Sequence, residues 1–313
     1  MIYTVTPNPV VDRTLTVPKI VMNAMSRAVE IREDWGGKGF NVSRALLSLG
    51  GESEAIGFLG GAAGEKLAQG LRAEGIRLTA VPIAQETRTN IVITEPDGGD
   101  YVKVNEAGPT IGGAELALFH KTVEKSVENG DIWALCGSLP PGIPEDFYGR
   151  LTERLHAAGA RVLLDAGGEA FRQAIPACPD IVKPNDIEAS AFLGVPVDGR
   201  ETAPAAVDKF MGLGITCVAL SLGADGLVLG GGGERVWARP PQVKARNPVG
   251  AGDALVAGLL WALSQGRSLA DAARWGVASG TAAAMREGVT AGTRAEVETV
   301  YARVTVDVLS EGA

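Results

Sequence analysis

The sequence predicts an α/β fold, a three-layer αβα sandwich with a mostly parallel, doubly wound sheet and a small β-sheet lid. Short apolar runs alternate with longer segments in which apolar residues recur three and four positions apart. The runs include 2–5, 132–135, 162–164, 181–182 and 217–220, and the helical segments include 65–74, 115–128, 147–158 and 207–213. This alternation is typical of parallel strands joined by crossover helices.

Two stretches break the alternation and predict the lid. Residues 28–32 alternate between apolar and charged side chains, and residues 89–104 form a predicted hairpin around Pro96-Asp97-Gly98-Gly99. We expect a small antiparallel lid from residues 10–35 and 88–105, and a large α/β domain from residues 1–9, 36–87 and 106–313. The lid would cover the carboxyl ends of the parallel strands, where α/β proteins bind ligands. Its exposed strand edges predict a homodimer through the lid.

Composition excludes several classes of protein. The chain has 313 residues and a formal charge of −8, which argues against binding to long nucleic acids but allows a local Lys and Arg cluster for one phosphate ester. Its three cysteines and two histidines show no zinc-binding spacing. Because we find neither a secretory leader nor a long apolar run, we expect a cytoplasmic protein without membrane contact.

The segment 247–253, Asn-Pro-Val-Gly-Ala-Gly-Asp, opens directly into an apolar helical segment. Its Gly-Ala-Gly turn lets backbone N–H groups approach an anion at the positive end of the helix dipole. Asp253 beside such a turn is suited to take a proton from a hydroxyl that attacks a phosphate. The segment indicates phosphoryl transfer, although an Asp that merely caps a helix would give the same pattern.

A second glycine-rich run, Gly-Gly-Lys-Gly-Phe-Asn at residues 36–41, leads into a predicted helix that ends at Leu49-Gly50. The glycines would let a sugar approach the backbone, and Lys38 and Asn41 suit hydroxyl or phosphate oxygens. The alternative is a flexible entry to the helix.

Three further loops follow predicted strands. In Lys-Pro-Asn-Asp-Ile-Glu at 183–188, the three-residue spacing of Asn185 and Glu188 suits magnesium held through water, although taken alone it favours a helix capping box. The loop 221–226 could admit a nucleotide, and the loop 136–142 sets Ser138 beside the expected site. Each of these two loops could also be an ordinary turn.

Taken together and in order, these motifs closely resemble the ribokinase-like sugar kinases of the phosphofructokinase B family, over nearly the whole chain. The segments that carry the resemblance are 8–12, 36–45, 87–90, 137–142, 183–188, 221–226 and 250–253. Asn-Pro-x-x-Asp, Thr-Arg-Thr-Asn and Gly-Ser-Leu-Pro-Pro-Gly are most similar to the 1-phosphofructokinase and tagatose-6-phosphate kinase branch.

The resemblance implies a role for each matching residue. Asp253 would be the catalytic base, and the anion hole would consist of Gly250, Ala251 and Gly252. The sugar would be held by Asp12, Gly37, Lys38 and Asn41, with Ser138 nearby. The clamp for the phosphate of the substrate would be formed by Arg88, Asn90 and Lys103, with Arg27 as a further candidate. The nucleotide site would be lined by Lys183, Asn185, Ser221, Gly223, Ala224 and Gly226, and Glu188 would hold Mg²⁺ through water.

The resemblance further implies ATP- and Mg²⁺-dependent phosphorylation of a ketohexose monophosphate, with fructose 1-phosphate to fructose 1,6-bisphosphate as the best guess. Tagatose-6-phosphate kinase and 6-phosphofructokinase are alternatives within the class. A non-catalytic phosphosugar sensor is the alternative from another class, although a sensor needs neither the base nor the magnesium position. Four positions depart from the family pattern: Phe40 is bulkier than usual, Cys136 stands where Ser is frequent, Asp165-Ala166-Gly167-Gly168 replaces a more usual Asp-x-Ser-Gly, and Asn247 stands at a position that is often acidic in potassium-activated relatives. Use of a monovalent cation is therefore left open.

Overall fold

The computed structural model describes residues 1–96, 99–288 and 290–309. Within these ranges the strands form one sheet of ten strands and a second sheet of four. Asp97 and Gly98, at the centre of the predicted hairpin turn, lie outside the described residues.

The large sheet has the strand order β14-β13-β12-β11-β10-β9-β8-β1-β4-β5. From β5 to β11 neighbouring strands are parallel, whereas β11 to β14 pair antiparallel. The strands are β1 (Ile2–Thr6), β4 (Glu54–Leu59), β5 (Arg77–Pro82), β8 (Ile132–Cys136), β9 (Arg161–Asp165), β10 (Ile181–Val182), β11 (Cys217–Ser221), β12 (Leu227–Gly231), β13 (Glu234–Arg239) and β14 (Thr305–Val308). Each predicted apolar run lies in one of them.

Helices cover both faces of this sheet, because its strands are buried on both sides and present apolar residues to two layers. They are α1 (Lys38–Ser48), α2 (Gly61–Ala73), α3 (Gly113–Ser126), α4 (Phe147–Ala157), α5 (Gly168–Ala174), α6 (Asp186–Leu193), α7 (Gly199–Met211), α8 (Ala251–Ser264), α9 (Leu269–Ala284) and α10 (Arg294–Tyr301). The predicted three-layer sandwich is confirmed. Among the described helices, none is both long enough and apolar enough to cross a membrane.

The small sheet contains β2 (Val10–Thr16), β3 (Glu30–Gly36), β6 (Arg88–Thr94) and β7 (Tyr101–Val104), in the order β3-β2-β6-β7. The outer pairs are antiparallel, but the central strands β2 and β6 are parallel. The prediction of a wholly antiparallel lid is therefore wrong. Since β2 follows β1 and β6 follows β5, both leave the carboxyl edge of the large sheet in one direction before each turns back.

Alternation along these strands separates a polar face of the small sheet from an apolar one. Asp12 pairs with Asn90, and Lys103 pairs with Val92, so Asp12, Arg88, Asn90 and Lys103 belong to one face. The other face carries Leu15, Ile31, Ile91, Ile93, Val102 and Val104.

Candidate active site

Asp253 lies in the first turn of α8, where Gly250 is the N-cap residue in a left-handed conformation with φ of 82°. Its carboxylate does not cap the helix. Instead, Asn41 Nδ2 of α1 donates to Asp253 Oδ2 at 2.8 Å. Asp253 is 6% exposed. The capped-turn alternative is thereby wrong for this residue, since its side chain is directed across the molecule to another helix.

The anion-binding character of this turn follows from helix geometry. The first N–H groups of an α-helix have no carbonyl four residues back, and the helix dipole adds positive potential there. A Cβ added to Gly252 would lie 3.8 Å from Lys183 Nζ, so an ammonium group stands beside the same turn. Two kinds of donor, backbone N–H and ammonium, therefore converge next to Asp253.

A second carboxylate, Asp165 at the end of β9, lies close to this turn, next to the same Lys183 ammonium group, and is fully buried. Its Oδ1 accepts from Lys38 Nζ at 2.9 Å and lies 3.4 Å from Lys183 Nζ. We call Lys38, Asn41, Asp165, Lys183 and Asp253 the sheet-edge cluster. It joins the ends of β9 and β10 to the first turns of α1 and α8, as parallel topology brings these termini to one edge.

The two carboxylates have opposite pKa shifts. Burial and the nearby charge of Asp165 raise the pKa of Asp253 to about 6. Burial alone would also raise the pKa of Asp165, but Lys183 and Lys38 lower it below its ordinary value. Although burial works against the charge of Lys38, Asp165 and Asp253 raise the pKa of this ammonium group. Asp165 is therefore stabilised as an anion, whereas the ionised form of Asp253 is disfavoured.

The glycine-Lys run has a packing reason that the sequence did not reveal. A Cβ on Gly39 would lie 2.5 Å from Thr6 Oγ1 and 2.8 Å from the carbonyl oxygen of Val5, so the start of α1 rests directly on β1. Gly37 has φ of 135°, which favours glycine. Phe40 is fully buried and packs against Gly57, so its extra bulk points into the core and not toward the site.

The predicted nucleotide residues lie on two adjacent loops. Ser221 N donates to the carbonyl oxygen of Pro184 at 3.0 Å, which brings the loop after β11 against the loop after β10. Gly223, Ala224 and Gly226 form the tight turn between the antiparallel strands β11 and β12. The turn alternative is thus correct as structure, and the nucleotide role stays a prediction.

Asn185 and Glu188 form a reciprocal capping box at the start of α6. Glu188 N donates to Asn185 Oδ1 at 2.7 Å, and Asn185 N donates to Glu188 Oε2 at 2.9 Å. Glu188 Oε1 lies toward Gly167 at the end of β9, 3.2 Å from where a Cβ would stand. Among the described residues, no group of three or more His, Cys, Asp or Glu side chains could hold a metal. A single half-buried carboxylate still fits Mg²⁺, which keeps most of its water ligands.

The predicted substrate-binding residues of the lid differ in their hydrogen bonds within the chain and in their exposure. Asn90 Nδ2 donates to Asp12 Oδ1 at 2.9 Å. The Arg88 guanidinium donates to the backbone carbonyls of Asn8 and Glu106 at 3.0 Å each, and more weakly to that of Pro9 at 3.4 Å. Arg88 therefore anchors the base of the lid, whereas Lys103 on the edge strand β7 and Arg27 in the loop before β3 are exposed.

Three other residues singled out from the sequence have defined surroundings. Ser138 accepts a hydrogen bond from Asn8 Nδ2 at 3.3 Å and is exposed beside the large-sheet edge. Cys136 is fully buried at the end of β8, where burial raises the pKa of its thiol well above the usual value. Asn247 uses both ends of its amide within the chain, donating to the carbonyl of Gly288 and accepting from Val249 N, each at 3.0 Å.

Sequence reasoning missed Asp165 and Arg44. Asp165 was noticed only as part of an unusual Asp-Ala-Gly-Gly segment, although its place at the end of a buried strand, level with Lys183 on the next strand, was a signal. Arg44 lies inside segment 36–45, and no sequence signal assigned it a role. It contacts Asn41 in the structure.

The family model of the pfkB family carbohydrate kinases matches residues 6–296. The chain belongs to this family. The kinase is 39% identical over 274 residues to the 1-phosphofructokinase of Rhodobacter capsulatus, which covers 87% of this chain and 87% of that protein. It is 36% identical over 287 residues to the 1-phosphofructokinase of Bacillus subtilis strain 168, covering 92% and 93% of the two chains.

Among solved structures, the phosphofructokinase-2 of Escherichia coli in complex with potassium superimposes with a TM-score of 0.92 and 30% identity, covering 96% of this chain and 98% of that one. The predicted ribokinase-like fold and phosphotransferase activity are thus confirmed. A non-catalytic sensor is not supported.

Proposed function

We propose that this kinase transfers the γ-phosphoryl group of ATP to O6 of fructose 1-phosphate, giving fructose 1,6-bisphosphate and ADP. The observation that carries the proposal is the buried Asp253 carboxylate, held by Asn41 beside the first turn of α8. The choice of substrate is supported by sequence identity. The chain is 39% and 36% identical to two 1-phosphofructokinases, but 30% identical to a phosphofructokinase-2.

Asp253 would act as the general base. As O6 forms its bond to the γ-phosphorus, its proton passes to the carboxylate, and the bond between the γ-phosphorus and the bridging oxygen breaks to release ADP. Charge on the transferred oxygens would face Gly250, Ala251 and Gly252 and the Lys183 ammonium. These donors are already in position, so little reorganisation accompanies the transfer.

The nucleotide would bind across the two loops joined at Pro184 and Ser221, against Lys183, Asn185, Ser221, Gly223, Ala224 and Gly226. Glu188 would hold Mg²⁺ through water, and the ion, when bound, would neutralise phosphate charge. The fit rests on the Glu188 oxygen that lies toward the end of β9. A monovalent cation stays part of the proposal because the related Escherichia coli structure contains potassium.

The phosphosugar would bind between the lid and the sheet-edge cluster. Asp12, Gly37, Lys38 and Asn41 would hold the sugar, with Ser138 at the margin. The phosphate already present would be met by Arg88, Asn90 and Lys103, which share the polar face of the lid with Asp12. Residues 10–35 and 88–105 would act as the lid that excludes water from the transferred group.

The apolar face of the lid supports a homodimer. Ile31, Ile91, Val102 and Val104 are 37–57% exposed on this face. Contiguous exposed apolar surface is typical of an interaction site.

We expect Val104→Asp to convert dimers to monomers in sedimentation velocity. Tyr101→Ser, on the same strand but the polar face, is the control and leaves the dimer intact; a monomeric wild type contradicts the proposal.

The proposed substrate is tested by comparing kcat/KM for fructose 1-phosphate, tagatose 6-phosphate and fructose 6-phosphate in an ADP-release assay with ATP and Mg²⁺. Fructose 1-phosphate is expected to be preferred, because differences of one stereocentre or phosphate position are decided by pocket shape. Preference for either other sugar ester overturns the substrate, and no ADP release with any of them overturns the function.

A further inference from the structure

Arg44, in the second turn of α1, has no role in the reaction described so far. Its three kinds of nitrogen reach three different segments of the chain. Nη1 donates to Asn41 Oδ1 at 2.8 Å, Nη2 to the carbonyl oxygen of Trp35 at 2.9 Å, and Nε to Glu74 Oε2 at 2.7 Å. The side chain is only 15% exposed. Arg44 therefore joins α1, the end of lid strand β3 and the C-terminus of α2.

The contact with Arg44 decides which way the Asn41 amide faces. A guanidinium group has donors only, so the atom that meets it must be the amide oxygen. The NH₂ group is then directed to the opposite side, where it donates to Asp253 Oδ2 at 2.8 Å. With the amide turned over, its oxygen would face the Asp253 carboxylate, and two acceptors would oppose each other.

We propose that Arg44 is a positioning residue for the reaction, acting through Asn41 to hold the Asp253 carboxylate with one oxygen bound and the other directed to the substrate. The inference rests on the proposed function of the same site. It extends that function from Asp253 to a side chain that touches neither substrate nor nucleotide.

The same three hydrogen bonds of Arg44 connect Asp253, through Asn41, to the lid. Trp35 is the next-to-last residue of β3, and Gly36 and Gly37 follow it directly into α1. A Cβ added to Gly70 of α2 would lie 2.0 Å from Trp35 Nε1, so the indole packs directly against this helix. Arg44 thereby ties the root of the lid to the residue that orients the base.

A pH profile reports on this chain of contacts because Asn41 acts on the charge of Asp253. Asp253 is faced by Asp165 from β9, Lys183 from the end of β10, Lys38 and Asn41 from α1, and the Cys136 thiol from β8. Burial and Asp165 raise the pKa of Asp253, whereas Lys38, the Asn41 hydrogen bond and Lys183 lower it. Loss of the Asn41 contact therefore raises the pKa and moves the acid limb of the rate profile to higher pH.

The test is a double-mutant cycle of Arg44→Met and Asn41→Ala, measured with whichever sugar phosphate the wild type turns over. Arg44→Met is expected to lower kcat by roughly 10- to 100-fold, the usual effect of a small misplacement at the reacting group. It should also move the acid limb of the rate profile to higher pH. In the Asn41→Ala background the same substitution should change kcat less than about twofold, because Arg44 then has nothing to orient.

Arg294→Met is the matched control. Arg294 also donates to a backbone carbonyl of the α1 segment, that of Leu49 at 3.0 Å, and pairs with a Glu, Glu298, but it lies at the other end of the helix. It should leave kcat and the acid limb unchanged. If Arg44→Met yields no folded protein, Arg44→Lys replaces it in the cycle, because an ammonium group cannot make the same three hydrogen bonds as the planar guanidinium group.

Additive losses of kcat in the cycle, or an acid limb that does not move, would overturn the role of Arg44. These outcomes are separate from failure of the proposed function. If the wild type prefers a different sugar phosphate, the double-mutant cycle can still be interpreted. A wild type without any turnover would overturn the proposed function before any variant is measured.

Discussion

The sheet-edge cluster and the polar face of the lid contain similar side chains in very different states. At the sheet edge, Asp165 is fully buried and its charge is met by two lysines within the chain. On the lid, Lys103 lies exposed on an edge strand. The buried Asp165 carboxylate is thus neutralised by the protein itself. The exposed Lys103 ammonium, which we propose meets the phosphate of the substrate, is left to the solvent. Preorganised electrostatics are worth most where water is excluded.

The sheet edge also contains a contrast between its two carboxylates. Asp165 is stabilised as an anion, so its charge serves the fold and the neighbouring lysines. Burial and the charge of Asp165 raise the pKa of Asp253 to about 6, so its ionised form is disfavoured relative to an exposed carboxylate, which suits the proposed role as a base. Groups whose environments push their pKa values apart commonly divide structural and chemical work in this way.

The largest expected effect tests Asp253. Asp253→Asn should lower kcat by roughly 10²- to 10⁴-fold, the usual contribution of a positioned base. The fold and nucleotide binding should be retained, because the amide is the same size as the carboxyl group. Single-turnover kinetics and nucleotide titration measure the two properties, and near wild-type turnover would remove Asp253 from its role.

Asp165→Asn should mainly lower the free energy of unfolding, by about 3–5 kcal/mol, since it leaves the buried Lys183 ammonium group, 5% exposed, beside a neutral amide. Chemical denaturation at neutral pH measures this loss. Asp146→Asn is the control, because Asp146 pairs with Arg150 on the surface at 2.7 Å and both side chains are at least 39% exposed. Its expected cost is below about 1 kcal/mol; equal losses for both variants would refute the contrast.

Within the lid, Arg88→Ala and Lys103→Ala should separate anchoring from binding. Both should raise KM for the phosphosugar, by roughly 10-fold or more for loss of a charge-assisted hydrogen bond. Only Arg88→Ala should also lower thermal stability, because three backbone carbonyls lose their donor. An unchanged KM for Arg88→Ala would leave Arg88 as an anchor of the lid and exclude it from the phosphate clamp.

The smallest effect is a pH dependence with a definite sign. A base must be ionised to accept a proton, so kcat/KM should fall as pH drops through about 6, the pKa of Asp253. For stability the sign is reversed. A folded-state pKa above the ordinary value means that ionisation of Asp253 costs stability, and this stability is lost as pH rises from ~4, the ordinary pKa, through about 6, the folded-state pKa. Rate profiles and thermal unfolding from about pH 3 to 8 would show both; an acid limb near the ordinary pKa of ~4 would contradict the assignment.

Much of the fold could be predicted because its signals are local. Apolar runs of two to four residues marked the parallel strands, and the Gly-Ala-Gly-Asp segment marked the start of α8. The helix predicted at 207–213 was found as α7 over Gly199–Met211, a longer helix whose first half carries Pro204. The antiparallel lid was wrongly predicted because strand direction depends on where β2 and β6 leave the large sheet, which no local pattern records.

The sequence by itself determined the alternation of strands and helices, the family resemblance and the segments that carry polar groups. Only the tertiary structure decided that Asp165 lies between Lys38 and Lys183, that Asn41 holds Asp253, and that Arg44 holds Asn41. Hydrogen-bonded pairs among these residues are up to 212 positions apart, and their pKa values and hydrogen bonds arise from burial and from distances of about 3 Å. Such distances are set by the packing of α1 and α8 on the sheet, so the chemistry of this edge exists only in the folded chain.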